Sequence, residues 1–182
     1  MRPDPDCRLC GLCDGRTNIV LPDGDPSSGV VLVGEAPGEN EDLEGRPFVG
    51  RSGRILEGML SDAGLDRSMV LITNTVKCRP PGNRDPSPVE MAACRPFLES
   101  ELRGARLVVG LGKSACRDLM GHTGPMADIV NRPTEIDVGG TMVPFIPTYH
   151  PAATIYNKVS RAELRRTMDM VAEVLGACTP DS

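Results

Sequence analysis

A doubly wound α/β domain, with about four mainly parallel strands flanked by helices, is the fold class this sequence predicts. Three observations carry the prediction. Val30-Val31-Leu32-Val33 is an unbroken run of branched apolar residues, as in strands buried on both faces. Met69–Thr73 and Leu107–Leu111 repeat such a run, and segments with helical apolar spacing lie between them. Each run is stopped by a turn-former or a polar residue: Gly34 and then Pro37-Gly38, Asn74, and Gly112.

The 182 residues suffice for one domain with a real core, and neither a repeat nor a linker divides 1–182. With no Trp, two Tyr and three Phe, that core must be built of Val, Leu, Ile, Met and Ala. A net charge of −5 and a pI near 5.1 argue against a broad nucleic-acid-binding surface and leave local basic rims at 77–84 and 158–166. No leader pattern and no apolar run of membrane-spanning length is read, so the expectation is a cytosolic domain that meets no membrane. Seven cysteines in a reducing compartment favour metal or cluster ligation over disulfides.

Taken in order, Met1–Asp6 reads as a frayed end, as does the stretch from about 177 to 182. Cys7, Cys10 and Cys13 form overlapping CxxC pairs, the spacing that brings two sulfurs of one tight turn to the same metal. Cys78 and Cys94, beside turn-formers or on a helix, strengthen that reading. Residues 16–29 are loop-like. The first strand then runs into Gly34–Gly38, and ligands of open α/β sheets sit beyond the carboxyl ends of strands, so this turn is the predicted floor of a site. Glu39–Pro47 reads as an acidic loop, and a helix opens at Phe48 and ends near Ala63, before Gly64. Pro80–Pro86 is a rigid loop leading to a helix over Ser87–Leu102, with Ser87 and Glu90 spaced as a capping box. Gly112-Lys113-Ser114 lacks the spacing of a phosphate loop and reads as a plain strand-to-helix turn. Thr134–Asp137 and Met142–Ile146 are short strands around Gly139-Gly140. Thr148–Ala153 follows the second of them, and Arg161–Leu175 is the last helix. Of the two histidines, His122 lies in a loop, while His150 stands after a strand and before Pro151, where chemistry is better served.

Gly34-Glu-Ala-Pro-Gly38, Glu41-Asp42, Gly45-Arg-Pro-Phe-Val-Gly50, Thr73-Asn74-x-Val76-Lys77-Cys78-Arg-Pro-Pro81, Asn83-Arg84 and His150-Pro-Ala-Ala153 together resemble the iron–sulfur uracil-DNA glycosylases, family four of that superfamily. The likeness runs in order from Cys7 to about Asn157. It implies a [4Fe-4S] cluster on Cys7, Cys10, Cys78 and Cys94, with Cys13 as a less favoured ligand and Cys116 and Cys178 as small buried or tail residues. It also implies a monomer acting on uracil-containing DNA in the cytoplasm, associated with the nucleoid; recruitment by a sliding clamp or a polymerase is left open.

The resemblance further assigns roles. His150 faces the uracil O2 and steadies the departing anion, Asn74 reads the Watson–Crick edge, and Phe48 stacks on the flipped base. Gly34, Ala36 and Gly38 line the base pocket. Where other branches of the superfamily carry Asp or Asn, this chain has Ala36, so Glu41 and Asn83, and after them Glu35, are the groups left to position water. Arg51, Lys158 and Arg161 would meet DNA, with Ile155 as a wedge into the base stack. Thr154–Lys158 departs from the Leu-Leu-Arg-Asn-Pro usual in relatives, losing an Arg and a Pro. The implied activity is hydrolysis of the N-glycosidic bond to leave an abasic site. Alternatives are a tight or covalent uracil-DNA binder, disfavoured because Cys78–Pro86 is short and lacks His, an inactive interaction module, and an electron-transfer protein.

Overall fold

The computed structural model describes residues 1–177. Its strands are β1 (Asp23–Gly24), β2 (Val30–Gly34), β3 (Leu71–Asn74), β4 (Leu107–Leu111), β5 (Thr134–Val138) and β6 (Thr141–Thr148), and its helices α1 (Glu39–Glu44), α2 (Arg51–Asp62), α3 (Pro88–Leu102), α4 (Lys113–Met120) and α5 (Lys158–Leu175). One mixed sheet runs in the order β1-β3-β2-β4-β6-β5. The expected four-stranded parallel sheet is its centre, β3-β2-β4-β6. The expected strand count is corrected to six among the described residues, because β1 and β5 add antiparallel edges. Strand β1 is two residues long and carries only Asp-Gly, which in sequence signals a turn.

Three further boundaries differ from expectation. Glu39–Glu44, expected as loop, is helix α1; acidic residues fill its first turn, where the helix dipole favours them, and Gly45 ends it in the left-handed conformation. Helix α2 begins at Arg51 rather than Phe48, because Phe48 has φ +53°. Helix α5 begins at Lys158 rather than Arg161, capped by Asn157, whose Oδ1 accepts from Val159 N (2.9 Å) and Ser160 N (3.1 Å). The Ser87–Glu90 capping box is present as expected.

The central strands are buried throughout, so both faces need cover. Val30, Leu32, Val109 and Leu111 pack on one face against Leu56 and Leu60 of α2 and Leu164, Met168 and Val171 of α5. Val31, Val33 and Val108 pack on the other against Leu98 and Leu102 of α3 and Cys116 of α4. The parallel register ends at Gly34 opposite Asn74 and at Leu111 opposite Thr148, which aligns the carboxyl ends of β2, β3, β4 and β6 along one rim. No helix among the described residues is long and apolar enough to cross a membrane.

Candidate active site

The rim opens into a cleft of about 460 Å³ lined by residues that follow β2, β3 and β6, together with the start of α2. Its floor depends on a missing side chain. A Cβ on Gly34 would lie 2.5 Å from Asn74 Oδ1 and 2.6 Å from both Cε2 and Cζ of Phe48. Asn74 and Phe48 therefore close over Gly34 and meet there. Among the described residues the amide of Asn74 has no hydrogen-bond partner and no fully enclosed unpaired atom, so its polar edge faces the cleft.

Phe48 reaches this place through a backbone conformation that a bulky residue rarely adopts, and such a conformation costs on the order of 1–3 kcal/mol. The surroundings enforce it from three sides. Glu41 accepts from Val49 N (2.9 Å) and Gly50 N (2.8 Å) through Oε1 and from Gly38 N (3.1 Å) through Oε2, tying the Phe48 loop to the turn after β2. Arg67 donates to the Phe48 carbonyl (2.8 Å) and to that of Pro47, while Asp23 (2.8 Å) and Glu57 (3.2 Å) hold the guanidinium. Gly53 leaves room for the Phe48 carbonyl, which a Cβ there would approach to 1.8 Å. Neither Arg67 nor Gly53 was legible as part of the site; Arg67 sits at a strand entry with no motif around it.

His150 stands two residues beyond β6, with its ring centroid 5.9 Å from that of Phe48 at 33°. Its Nδ1 accepts from Ala152 N (3.2 Å), so in the neutral ring Nε2 carries the proton. Burial pulls its pKa below the usual imidazole value, opposed by the nearby Glu41 carboxylate, and this favours the neutral ring at pH 7. Gly112 (φ +91°) packs against His150, since a Cβ there would stand 2.7 Å from that of His150. Thr167 of α5 donates to Thr148 Oγ1 (2.6 Å) or Asn131 Oδ1 (2.7 Å), anchoring the strand that delivers the ring.

Glu35, Ala36, Gly38, Glu41, Phe48, Arg51, Asn74, Asn83 and His150 all line this one cleft, and Gly34 lies under its floor. The carboxylates and amide expected to position water differ in how free they are. Both oxygens of Glu41 are engaged by backbone N–H groups. Asn83 Oδ1 accepts from Arg79 Nε (2.7 Å). Glu35 is half-buried, and burial raises its pKa against the opposing effect of the Ser114 hydroxyl. Asn40, Ser52, Pro80 and Arg84 also line the cleft, beyond the residues singled out from sequence. Arg84 pairs with Glu90 at 2.6 and 2.8 Å, fastening the 80–86 loop to the start of α3. Ile155, Lys158 and Arg161 do not line the cleft. Ile155 is half-buried in the short turn Pro151–Ile155 that follows His150, while Lys158 and Arg161 are exposed on α5; Tyr156, directly after Ile155, is 88% exposed.

A second, small space lies beside the loop after β3. Cys7, Cys10, Cys78 and Cys94 line it together with Leu9, Ile19, Phe97 and the Arg16 side chain, whose Nη1 stands 3.6 Å from Cys78 Sγ. Burial pushes the free Cys78 thiol up to about 11, against the pull of Arg16. Cys13 is outside this space and its thiol faces Asp14 Oδ1 at 3.5 Å. Among the described residues no three His, Cys, Asp or Glu side chains are close enough to hold one metal ion. Ligands of a single zinc converge to ~2.3 Å from one point, whereas thiolates of a polynuclear iron–sulfur group each bind their own iron. Four soft donors around a largely apolar space, with an Arg ready to face a thiolate, fit the second kind of group. Cys116 is buried against the Gly110 carbonyl at 3.6 Å, and Cys178 lies outside the described residues.

A sequence model of the Uracil DNA glycosylase superfamily matches residues 21–172. A protein named Type-4 uracil-DNA glycosylase from Thermotoga maritima is 43% identical over 164 residues, covering 88% of this chain and 82% of that one. Proteins of the same name from Archaeoglobus fulgidus and Sulfurisphaera tokodaii are each 39% identical, covering 96% of this chain and 90% and 81% of theirs.

Proposed function

The chain belongs to the uracil DNA glycosylase superfamily and acts as a uracil-DNA glycosylase in DNA repair, and from that premise we propose how its own residues divide the work. A base inside a duplex is out of reach, so the target nucleotide is rotated out of the stack into the cleft. Phe48 stacks on the extruded pyrimidine. Asn74 donates to O4 and accepts from N3–H, a pairing that cytosine cannot satisfy in the same pose.

Breaking the N-glycosidic bond leaves positive charge on the sugar and negative charge on uracil. The neutral His150 ring donates through Nε2 to O2 of that anion. It is held in place before the charge develops, and one such preorganised donor is worth about 3–4 kcal/mol. Because charge separates early, water needs orientation more than deprotonation. Glu41 serves this site as a positioning residue, since its carboxylate is occupied by the backbone of the Phe48 loop. Water orientation is left to Glu35 and to the amide nitrogen of Asn83, which has no partner among the described residues.

Cys7, Cys10, Cys78 and Cys94 would hold a [4Fe-4S] cluster, which when bound staples the N-terminal loop, the loop after β3 and helix α3 together. Arg51 at the cleft rim and the exposed Lys158 and Arg161 meet DNA phosphates, while the turn carrying Ile155 enters the minor groove.

The observation that carries this reading is the meeting of Phe48, Asn74 and His150 in one cleft at the carboxyl rim. The test is incubation with a uracil-containing oligonucleotide followed by detection of abasic sites. Turnover is expected. A gel-stable adduct marks a covalent binder instead, and neither product marks an interaction module.

A further inference from the structure

Behind the base-reading amide lies a buried charged pair that the reaction does not use. Lys77 is 1% exposed, and its Nζ donates to Glu101 Oε2 (2.6 Å), Thr73 Oγ1 (2.7 Å) and the backbone carbonyl of Asn74 (2.6 Å). Glu101 Oε2 also stands 2.7 Å from Thr73 Oγ1. All three ammonium donors are thus committed. A buried ion pair is weak evidence for stability, because the loss of hydration offsets the attraction and an apolar pair of similar volume often serves as well. The contact to Asn74 points elsewhere.

Asn74 is the last residue of β3. The following N–H, that of Thr75, still donates to Gly34 O (3.0 Å), after which the chain leaves the sheet. The Asn74 carbonyl faces the interior, where an unpaired carbonyl is costly. Lys77 curls back from three residues on to meet it, which fixes the peptide plane after Asn74. That plane sets the direction of the Asn74 Cα–Cβ bond into the cleft. Because the terminal torsion of an Asn side chain is broad, the backbone has much of the say in where the amide points. Lys77 also borders the space lined by Cys78 and Cys94, so one residue touches both places.

We propose that Lys77, with Glu101 as its counter-charge, is a specificity-determining positioning residue: it holds the Asn74 backbone so that the amide meets the pyrimidine edge, and it joins that amide to the wall of the cysteine-lined space. This rests on the reading of Asn74 given above.

The experiment uses protein purified with its cluster and compares wild type with Asn74→Ala, Thr73→Val and the double variant Lys77→Met/Glu101→Leu, which removes both charges and orphans neither. The readouts are inhibition by free uracil and by free cytosine, melting temperature and visible absorbance. The double variant keeps its absorbance and fold but binds free uracil about tenfold more weakly or worse and prefers it less over cytosine, the tenfold loss being ~1.4 kcal/mol. Thr73→Val, which removes the hydroxyl shared by the ammonium and the Glu101 carboxylate while leaving both charges, weakens uracil binding about threefold, of the order of one net hydrogen bond. A folded double variant with unchanged uracil affinity and preference overturns the proposal. A melting temperature that falls with the preference intact, the mark of a merely structural role, overturns it too. If the double variant does not fold, Thr73→Val decides by the same readouts. Asn74→Ala separates the two layers. Wild-type uracil binding in that variant defeats the reading of Asn74, whereas loss of binding there with no loss in the Lys77 and Thr73 variants defeats only this inference.

Discussion

The substitution Gly34→Ala puts the floor of the cleft to the sharpest test. Gly34 has no positive φ, so Ala is tolerated by the backbone and the whole effect comes from one added methyl group. That methyl would stand 2.5 Å from Asn74 Oδ1 and 2.6 Å from two carbons of the Phe48 ring. Carbon atoms rest at about 3.5–4.0 Å, so the ring and the amide must each retreat by roughly 1 Å. Both border the open cleft and are free to retreat into it, which places the cost on the site more than on the core. Overpacking of this size lowers stability by about 1–3 kcal/mol, and a chain of this length loses roughly 2–4 °C of melting temperature per kcal/mol. A misplacement of about 1 Å costs catalysis on the order of a hundredfold. Single-turnover cleavage of a uracil oligonucleotide, read as alkali-labile strands, is therefore expected to slow about a hundredfold while the protein stays folded. Gly58→Ala is the control: it lies on the exposed face of α2 with open space around it, and it should leave the rate unchanged and the helix slightly more stable. A folded Gly34→Ala variant that turns over at the wild-type rate would refute the claim that Asn74 and Phe48 meet the base together over Gly34.

His150 holds its place as a neutral ring, because Nδ1 must stay unprotonated to accept from Ala152 N, and burial holds its pKa below the usual 6.5. The rate is thus expected to be flat through neutral pH and to drop only below 6.5; since the unfolded chain takes up the proton first as pH falls, stability drops through the same window. A rate that breaks above pH 6.5 contradicts this. His150→Ala should slow the chemical step about 10²–10³-fold, as loss of one preorganised donor does, and an unchanged rate removes His150 from the mechanism. Cys94→Ser is expected to abolish the brown iron–sulfur absorbance, and Cys13→Ser to keep it; the reverse pattern reassigns the ligands. Arg67→Lys should lose about tenfold in rate, because a point ammonium cannot serve the Pro47 and Phe48 carbonyls and Asp23 at once. Recovery of the full rate in the Lys variant would show that the fork is dispensable.

What the sequence made legible follows the physics of each signal. The parallel centre was readable because doubly buried strands must be continuous runs of Val, Leu and Ile, and the residues that end those runs mark the rim. Of the two edge strands, β5 was readable as the short strand Thr134–Asp137, whereas β1 was not: it is too short to carry a period, and its Asp-Gly signals a turn. The start of α2 was misjudged at Phe48 because local spacing cannot announce a left-handed residue. That conformation is imposed by Arg67 and Glu41 from nineteen and seven positions away in sequence. Asn74 and His150 were found in short motifs at strand ends, and Phe48 through the family resemblance of Gly45–Gly50. Lys77 stood within one of those motifs, but its partner Glu101 lies on α3 and only the fold brings them together.

The carboxylates around the cleft say most about the kind of catalyst this is. Glu41 accepts three backbone N–H bonds, so its charge is spent on shaping the Phe48 loop. Glu39 faces Arg79 at 3.6 Å on the rim. Glu35, the remaining one, has its pKa raised by burial, which makes it the one carboxylate here that can take a proton from a water as well as orient it. Ala36 contributes no side-chain base at all. On the proposed reading charge separates before water attacks, so the single half-buried carboxylate of Glu35 is not what drives the reaction. In the proposed mechanism the neutral donor of His150 and the fixed amide of Asn74 act on the leaving base instead, and both are held by networks that lie outside the cleft. On this view the rate depends on how rigidly the anion's partners are set, and substitutions that loosen Arg67 or Gly112 should cost more activity than removal of the Glu35 carboxylate. Single-turnover rates of Arg67→Ala, Gly112→Ala and Glu35→Gln in one substrate series check that order; a Glu35→Gln defect larger than both others would mean that activation of water, and not stabilisation of uracil, limits the reaction.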